Sequence, residues 1–167
     1  MNIPAFGLIF LCFGAISAEN GVVPADNNND WDPGTYHLID GKYYFVDRYT
    51  EPISTARYYC SRAGMIPISF EDPAKQAIIS EYFINAPGFY ANRVFWTNGI
   101  KRRGSNEYIW EPSGIPFDDS LWSPGYPLYI NDTKESCIRY KPSRANFVDS
   151  ICDPAVNRLG EMLCEDP

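Results

Sequence analysis

The 167-residue chain carries a net charge of −7 and a pI near 4.6, which argues against nucleic acid and anionic membrane surfaces as partners. A single histidine, His37, excludes a multi-histidine metal site. Aromatic residues make up 16% of the sequence, enough to fill a core and leave rings over for surface contacts.

Residues 1–18 are apolar and uncharged from Phe6 to Ile16 and end on the small residues Ser17 and Ala18. That pattern reads as a secretory signal peptide cleaved after Ala18, too short to span a bilayer. No later stretch has the length of a membrane span, so a soluble, secreted, extracellular product of one-domain size is expected. Residues 19–35 are polar, broken by Pro24, Pro33 and Gly34, and read as a flexible segment. Within it, Asn27–Asp30 reads as solvated linker rather than as calcium ligands.

The domain proper is expected over 36–165. Tyr43–Val46 is aromatic and β-branched, hence a strand. Thr50 is a candidate helix cap, with Glu51 and Pro52 in the first turn and Ile53, Ala56, Arg57, Cys60 and Ala63 at helical spacing before Gly64. Met65–Ser69 reads as a short strand, and Asp72-Pro73 opens a second helix carrying Ala77, Ile78, Glu81 and Tyr82. Strands follow at Val94–Ile100 and Glu107–Trp110, then an irregular stretch from Glu111 to Asp132 whose length marks it as functional. Further strands are read at Ser136–Arg139, Asn146–Ser150 and Met162–Glu165. No internal repeat is present. The sum is a small α+β domain with two helices, short strands and one long loop.

Four cysteines outlast the leader: Cys60, Cys137, Cys152 and Cys164. An even set in a secreted chain reads as a disulfide framework, for which sequence allows three pairings. With all four accounted for in this way, zinc binding and a cysteine nucleophile are poor readings.

In order along the chain stand Cys60 on a helix, Phe95-Trp96-Thr97-Asn98-Gly99, Trp110, Trp122 and Gly125-Tyr126-Pro127. Then come Glu135-Ser136-Cys137, Phe147-Val148-Asp149-Ser150-Ile151-Cys152 and Leu163-Cys164-Glu165. Together these resemble the C-type lectin-like domain in a short form, most like its secreted invertebrate members. The resemblance covers 36–165. It implies an α+β C-type lectin-like fold, with two helices flanking small antiparallel sheets. It also implies the pairs Cys60–Cys164 and Cys137–Cys152, and Trp110 and Trp122 as core positions.

In sugar-binding members of that family one calcium ion is held by loop and strand oxygens and itself holds two sugar hydroxyls. The matching positions here are Tyr126, Pro127 and Leu128, then Glu135, then Val148 and Asp149. Only Glu135 and Asp149 carry carboxylates, whereas calcium takes 6–8 oxygen ligands. No cofactor and no competent calcium site are therefore expected, only very weak calcium binding at most, and the two carboxylates read as polar, solvated strand ends. The candidate ligand-binding set is Tyr126, Leu128, Tyr129, Glu135 and Asp149, with Tyr126 and Tyr129 exposed to stack on a sugar or anchor an interface. Pro127 matches a family proline that often follows a cis bond. Asn131-Asp132-Thr133 is an N-glycosylation sequon in the same loop.

Lys101-Arg102-Arg103-Gly104 is a basic turn suited either to sulfated or acidic glycans or to plain solvation. Asp118-Asp119 reads as a solvent-facing pair, and His37 near Asp40 lacks a positioned nucleophile, so no enzyme is expected. The expected function is recognition of a glycan or glycoprotein, as in innate immunity or adhesion, without the calcium bridge. The alternative is an extracellular-matrix or protein-interaction module with no sugar ligand. Nothing in the sequence fixes an oligomeric state.

Overall fold

The computed structural model describes residues 34–111, 113–131, 133–152 and 159–167. The leader read at 1–18 and residues 19–33 of the following segment lie outside them. Gly34 and Thr35 belong to a strand rather than to a flexible segment. They extend β1 (Gly34–Ile39) by pairing with Asp47 and Val46 of β2 (Lys42–Asp47).

Helix α1 (Ile53–Arg62) buries Ile53, Ala56 and Cys60, three positions at helical spacing. Its N-cap is Pro52 and carries no side-chain cap bond. Thr50 is not the cap, because Glu51 is held extended by exchanging backbone bonds of 3.0 and 3.1 Å with Gly160. The helix stops where Gly64 adopts φ +73°, which lets Met65 N–H return to Cys60 O at 2.9 Å. After it only Ile66–Pro67 forms a strand, β3.

Helix α2 (Pro73–Asn85) starts as the sequence predicts: Asp72 accepts the Ala74 N–H at 2.8 Å and Pro73 fills the first turn. Its inward face differs. Gln76, Ile79, Ser80 and Phe83 are buried, while Ala77, Ile78 and Glu81 are exposed. Two polar residues on the inner face hide the apolar stripe, and both are satisfied there. Gln76 Nε2 donates to Ala145 O at 2.5 Å, and the Ser80 hydroxyl bonds both Gln76 O and the Tyr140 hydroxyl.

The remaining strands are β4 (Phe95–Lys101), β5 (Ile109–Trp110), β6 (Ser136–Lys141), β7 (Asn146–Ile151) and β8 (Glu161–Glu165). Among the described residues they join β1–β3 in one eight-stranded sheet ordered β1-β2-β8-β4-β6-β7, with β3 on β8 and β5 on β4. The sheet is mixed rather than a set of separate antiparallel sheets, because β4 and β8 pair in parallel through Phe95–Glu161 and Trp96–Met162.

Two cores flank this join. One gathers aromatic rings under α2, with Phe147 within 5.3–5.8 Å of Phe70, Trp110, Phe117 and Tyr140. The other packs Phe45, Ile53, Ala56, Trp96 and Met162 around the Cys60–Cys164 disulfide. The second disulfide, Cys137–Cys152, closes β6 onto the end of β7.

Candidate functional site

The long loop leaves β5 at Glu111 and returns at β6. Its course is fixed by isolated backbone bonds and by side-chain contacts in place of a regular ladder. Glu111 is tied to Asn98 by N–H to carbonyl at 2.9 Å and by the Asn98 amide on its own carbonyl. Phe117 N–H donates to Tyr108 O at 2.8 Å, which turns the Phe117 ring onto Trp110. The Asp118-Asp119 pair is structural. Asp118 caps the one-turn helix Asp119–Leu121 by accepting Ser120 N–H at 2.9 Å, and Asp119 accepts the Trp122 indole N–H at 3.0 Å. Those bonds lay Trp122, half-buried, against Phe117 at 4.4 Å and Tyr108 at 4.9 Å. The Tyr126–Pro127 bond is cis.

Beyond that bend the loop meets one buried carboxylate. Asp149 is 2% exposed and accepts three bonds: Leu128 N–H at 2.8 Å, Tyr129 N–H at 2.8 Å and the Tyr108 hydroxyl at 2.6 Å. It is therefore a buried clamp, not a solvated strand end. Strand alternation puts it there, since it shares the inward face of β7 with Phe147. Tyr108, which sequence reasoning did not single out, completes the clamp. It is two residues before the buried Trp110 and shares its inward face, and that spacing was the available signal.

The other candidate residues are distributed around this clamp. Leu128 is 59% exposed, and Tyr126 and Tyr129 are half-buried rather than open. The Tyr129 N–H reaches Asp149, whereas the Tyr126 N–H donates to Ser123 O at 3.0 Å. Lys141 Nζ stands 5.9 Å from the Tyr126 ring centre, a contact suited to cation–π attraction. Glu135 is exposed and is not part of the clamp. It precedes Ser136, which pairs with Ile151, and its side chain lines a separate cavity. Asn131 and Thr133 of the sequon are exposed.

This donor set does not fit a calcium ion of the kind the resemblance implies. The carboxylate that would ligate it is already bonded to two backbone N–H groups and a phenol, and Leu128 and Val148 offer hydrocarbon. Among the described residues no three His, Cys, Asp or Glu side chains converge as a metal site.

The basic turn is only partly solvated. Lys101 is fully buried, with Nζ donating to Ser105 O at 3.3 Å and Lys134 O at 3.0 Å. Arg102 pairs with Glu111 at 3.0 Å, and Glu111 also takes Arg57 at 3.3 Å. Two buried ionisable groups lie away from the loop. His37, with Nδ1 3.0 Å from the Tyr82 hydroxyl, is pushed down to about 4 by burial, with the nearby Arg93 adding to the effect. Asp47, 1% exposed, is pushed up to about 8 by burial. The Met162 N–H pulls it back in part, and Glu161 and Glu51 add to the rise.

No protein-family model and no curated protein sequence matches this chain. Solved structures do match. The carbohydrate-recognition domain of the mouse scavenger receptor C-type lectin is similar at a TM-score of 0.61 and 17% identity, over 80% of this chain and 94% of that one. A C-type lectin from the tunicate Polyandrocarpa misakiensis is similar at 0.57 and 19%, over 80% and 98%. A calcium-dependent type II antifreeze protein, in its calcium-free form, is similar at 0.60 and 19%, over 79% and 97%. At these identities the likeness is one of fold.

Proposed function

We propose, from the C-type lectin fold as premise, that this is a secreted, non-enzymatic recognition protein that binds a glycan or glycoprotein through its long loop without a bridging calcium ion. The observation that carries the reading is the Asp149 clamp, which occupies the central carboxylate with the loop's own backbone. Leu128, exposed between the half-buried Tyr126 and Tyr129, offers an apolar contact, and the open edges of the two tyrosine rings can pack on a sugar ring. The mouse neighbour is a carbohydrate-recognition domain, which lends support at the level of the fold.

Secretion, leader cleavage after Ala18 and a glycan on Asn131 belong to the same reading. Expression in a eukaryotic secretory host should yield medium-borne protein starting at Glu19, whose mass falls on treatment with peptide N-glycosidase and does not fall in Thr133→Ala.

The test of function is a glycan array probed with the full chain in calcium and again in chelator. Binding that survives chelation supports the proposal, and Tyr126→Ala with Tyr129→Ala should weaken it. Strong chelator-sensitive binding to mannose or galactose overturns it. Absence of binding to any glycan favours the second reading, a protein-interaction module of the extracellular matrix. The exposed Leu128 fits that reading too, and the antifreeze neighbour shows that this fold also serves roles outside sugar binding.

A further inference from the structure

The two disulfides stand in opposite surroundings. Cys60 and Cys164 are both 0% exposed, inside the core that packs Phe45, Trp96 and Met162 around them. Cys152, just past β7, is half-buried. With its partner Cys137 it lines a cavity of about 390 Å³, where the start of α1 meets the turn after β4 and the end of the long loop. The first pair is closed to a thiol while the chain stays folded, whereas a small thiol reaches the second through that cavity.

The fold also tolerates opening at that place. β6 and β7 remain joined by a continuous antiparallel ladder from Ser136↔Ile151 to Lys141↔Asn146, and Cys152 N–H donates to Glu135 O at 3.1 Å. Those bonds keep the two cysteines side by side without the sulfur link. The link spans 15 residues against 104 for the other pair, so its removal releases less chain entropy. The cavity wall suits a negatively charged reagent. Arg57 is answered by Glu111, and of the other charges on the wall Arg103 and Lys134 outweigh Glu135.

Exchange at this bond needs one class of co-reactant, a monothiol of the glutathione type. Its thiolate attacks the Sγ of Cys152, the more accessible partner, and forms a mixed disulfide there. The Cys137–Cys152 bond breaks, and its electron pair leaves on the Sγ of Cys137, which is 1% exposed and takes up a proton. A second thiolate attacks the mixed disulfide and frees Cys152. The net change oxidises two thiols to one disulfide and reduces the protein's disulfide to two thiols.

We propose that Cys152 is a modification site for anionic monothiols, with Cys137–Cys152 an exchangeable bond and Cys60–Cys164 a permanent one. The experiment incubates the natural protein with reduced glutathione at about pH 8, where thiolate is populated. Samples are quenched at intervals with N-ethylmaleimide, and the cysteine peptides are mapped by mass spectrometry. The expected product has Cys137 alkylated, Cys152 carrying glutathione or alkylated, and Cys60–Cys164 intact. It should form about ten-fold faster, or more, than any cleavage of Cys60–Cys164, and it should keep a cooperative melting transition. Urea below the unfolding transition should leave its rate unchanged while speeding cleavage of Cys60–Cys164, which requires unfolding. Joint opening of both pairs, earlier opening of Cys60–Cys164, or a rate for Cys137–Cys152 that climbs with urea overturns the proposal, since each means that thiols enter only by unfolding. Glutathione found on Cys137 instead of Cys152 overturns it as well. Every readout is taken on the natural chain, so no variant has to fold for the proposal to fail.

Discussion

Replacing Asp149 with alanine leaves the Leu128 and Tyr129 N–H groups and the Tyr108 hydroxyl without their shared acceptor. Unpaired donors at a buried site are costly, so D149A should lower stability by about 2–4 kcal/mol in denaturant titration. The loop should also lose amide-exchange protection at residues 128 and 129, and a loop that stays protected in D149A would refute the clamp.

His37 and Asp47 give the chain a pH signature. His37 titrates near 4 when folded and 6.5 when unfolded, so stability falls as pH drops from 6.5 to 4. Asp47 titrates near 8 when folded and 3.8 when unfolded, so its effect is opposite, with stability falling as pH rises from 3.8 to 8. Each slope reaches about 1.4 kcal/mol per pH unit. They oppose each other from pH 4 to 6.5, and above 6.5 the Asp47 slope stands alone up to about 8. The stability gap between Asp47→Asn and the natural chain should therefore widen steadily from pH 4 to pH 8. A constant gap would show that Asp47 is ionised throughout.

At the scale of elements, β4 is the strand on which the fold turns, since it contacts β5, β6 and β8. Its register with β6 shifts between Trp96 and Ile100, and within that shift a Cβ on Gly99 would stand 2.6 Å from Ile138 Cδ1. Gly99→Ala should therefore destabilise by overpacking, about 1–3 kcal/mol, visible as a lowered melting temperature. Ile138 Cβ and Cγ1 would also stand 2.8 Å from that Cβ, so adding Ile138→Val to Gly99→Ala should leave most of the loss in place.

The disulfides act on loops of different length. Cys60–Cys164 spans 104 residues and Cys137–Cys152 spans 15. By the chain-entropy model, replacing each pair by serines should cost roughly 4–5 and 3 kcal/mol respectively.

Taken whole, the molecule separates a scaffold from a long irregular loop. The join of β4 and β8, the two cores and the two disulfides form a frame. On it the long loop is laid down by caps, ring contacts and one carboxylate instead of by a ladder. If no metal is needed to hold that loop, neither calcium chloride nor chelator should shift the melting temperature of the full chain. A ligand that binds the folded state alone must raise it, so a calcium-dependent rise would show a site that these donors do not predict.

Much of this was legible in the amino-acid order, because the signals are local. Apolar residues at helical spacing marked α1, Asp72-Pro73 marked the start of α2, aromatic and β-branched residues marked β2, and four spaced cysteines with three tryptophans pointed to the fold. What only the tertiary structure decided depends on partners distant in the chain. The inner face of α2 could not be read because Gln76 and Ser80 become acceptable inside only when Ala145 and Tyr140 arrive to bond them. Thr50 lost its cap because Gly160 claims Glu51. Asp149 was misread as solvated because a carboxylate belongs in water until a loop some twenty residues away delivers two N–H groups and Tyr108 a hydroxyl. Burial of a polar group is a property of its partners, and partners are chosen by the fold.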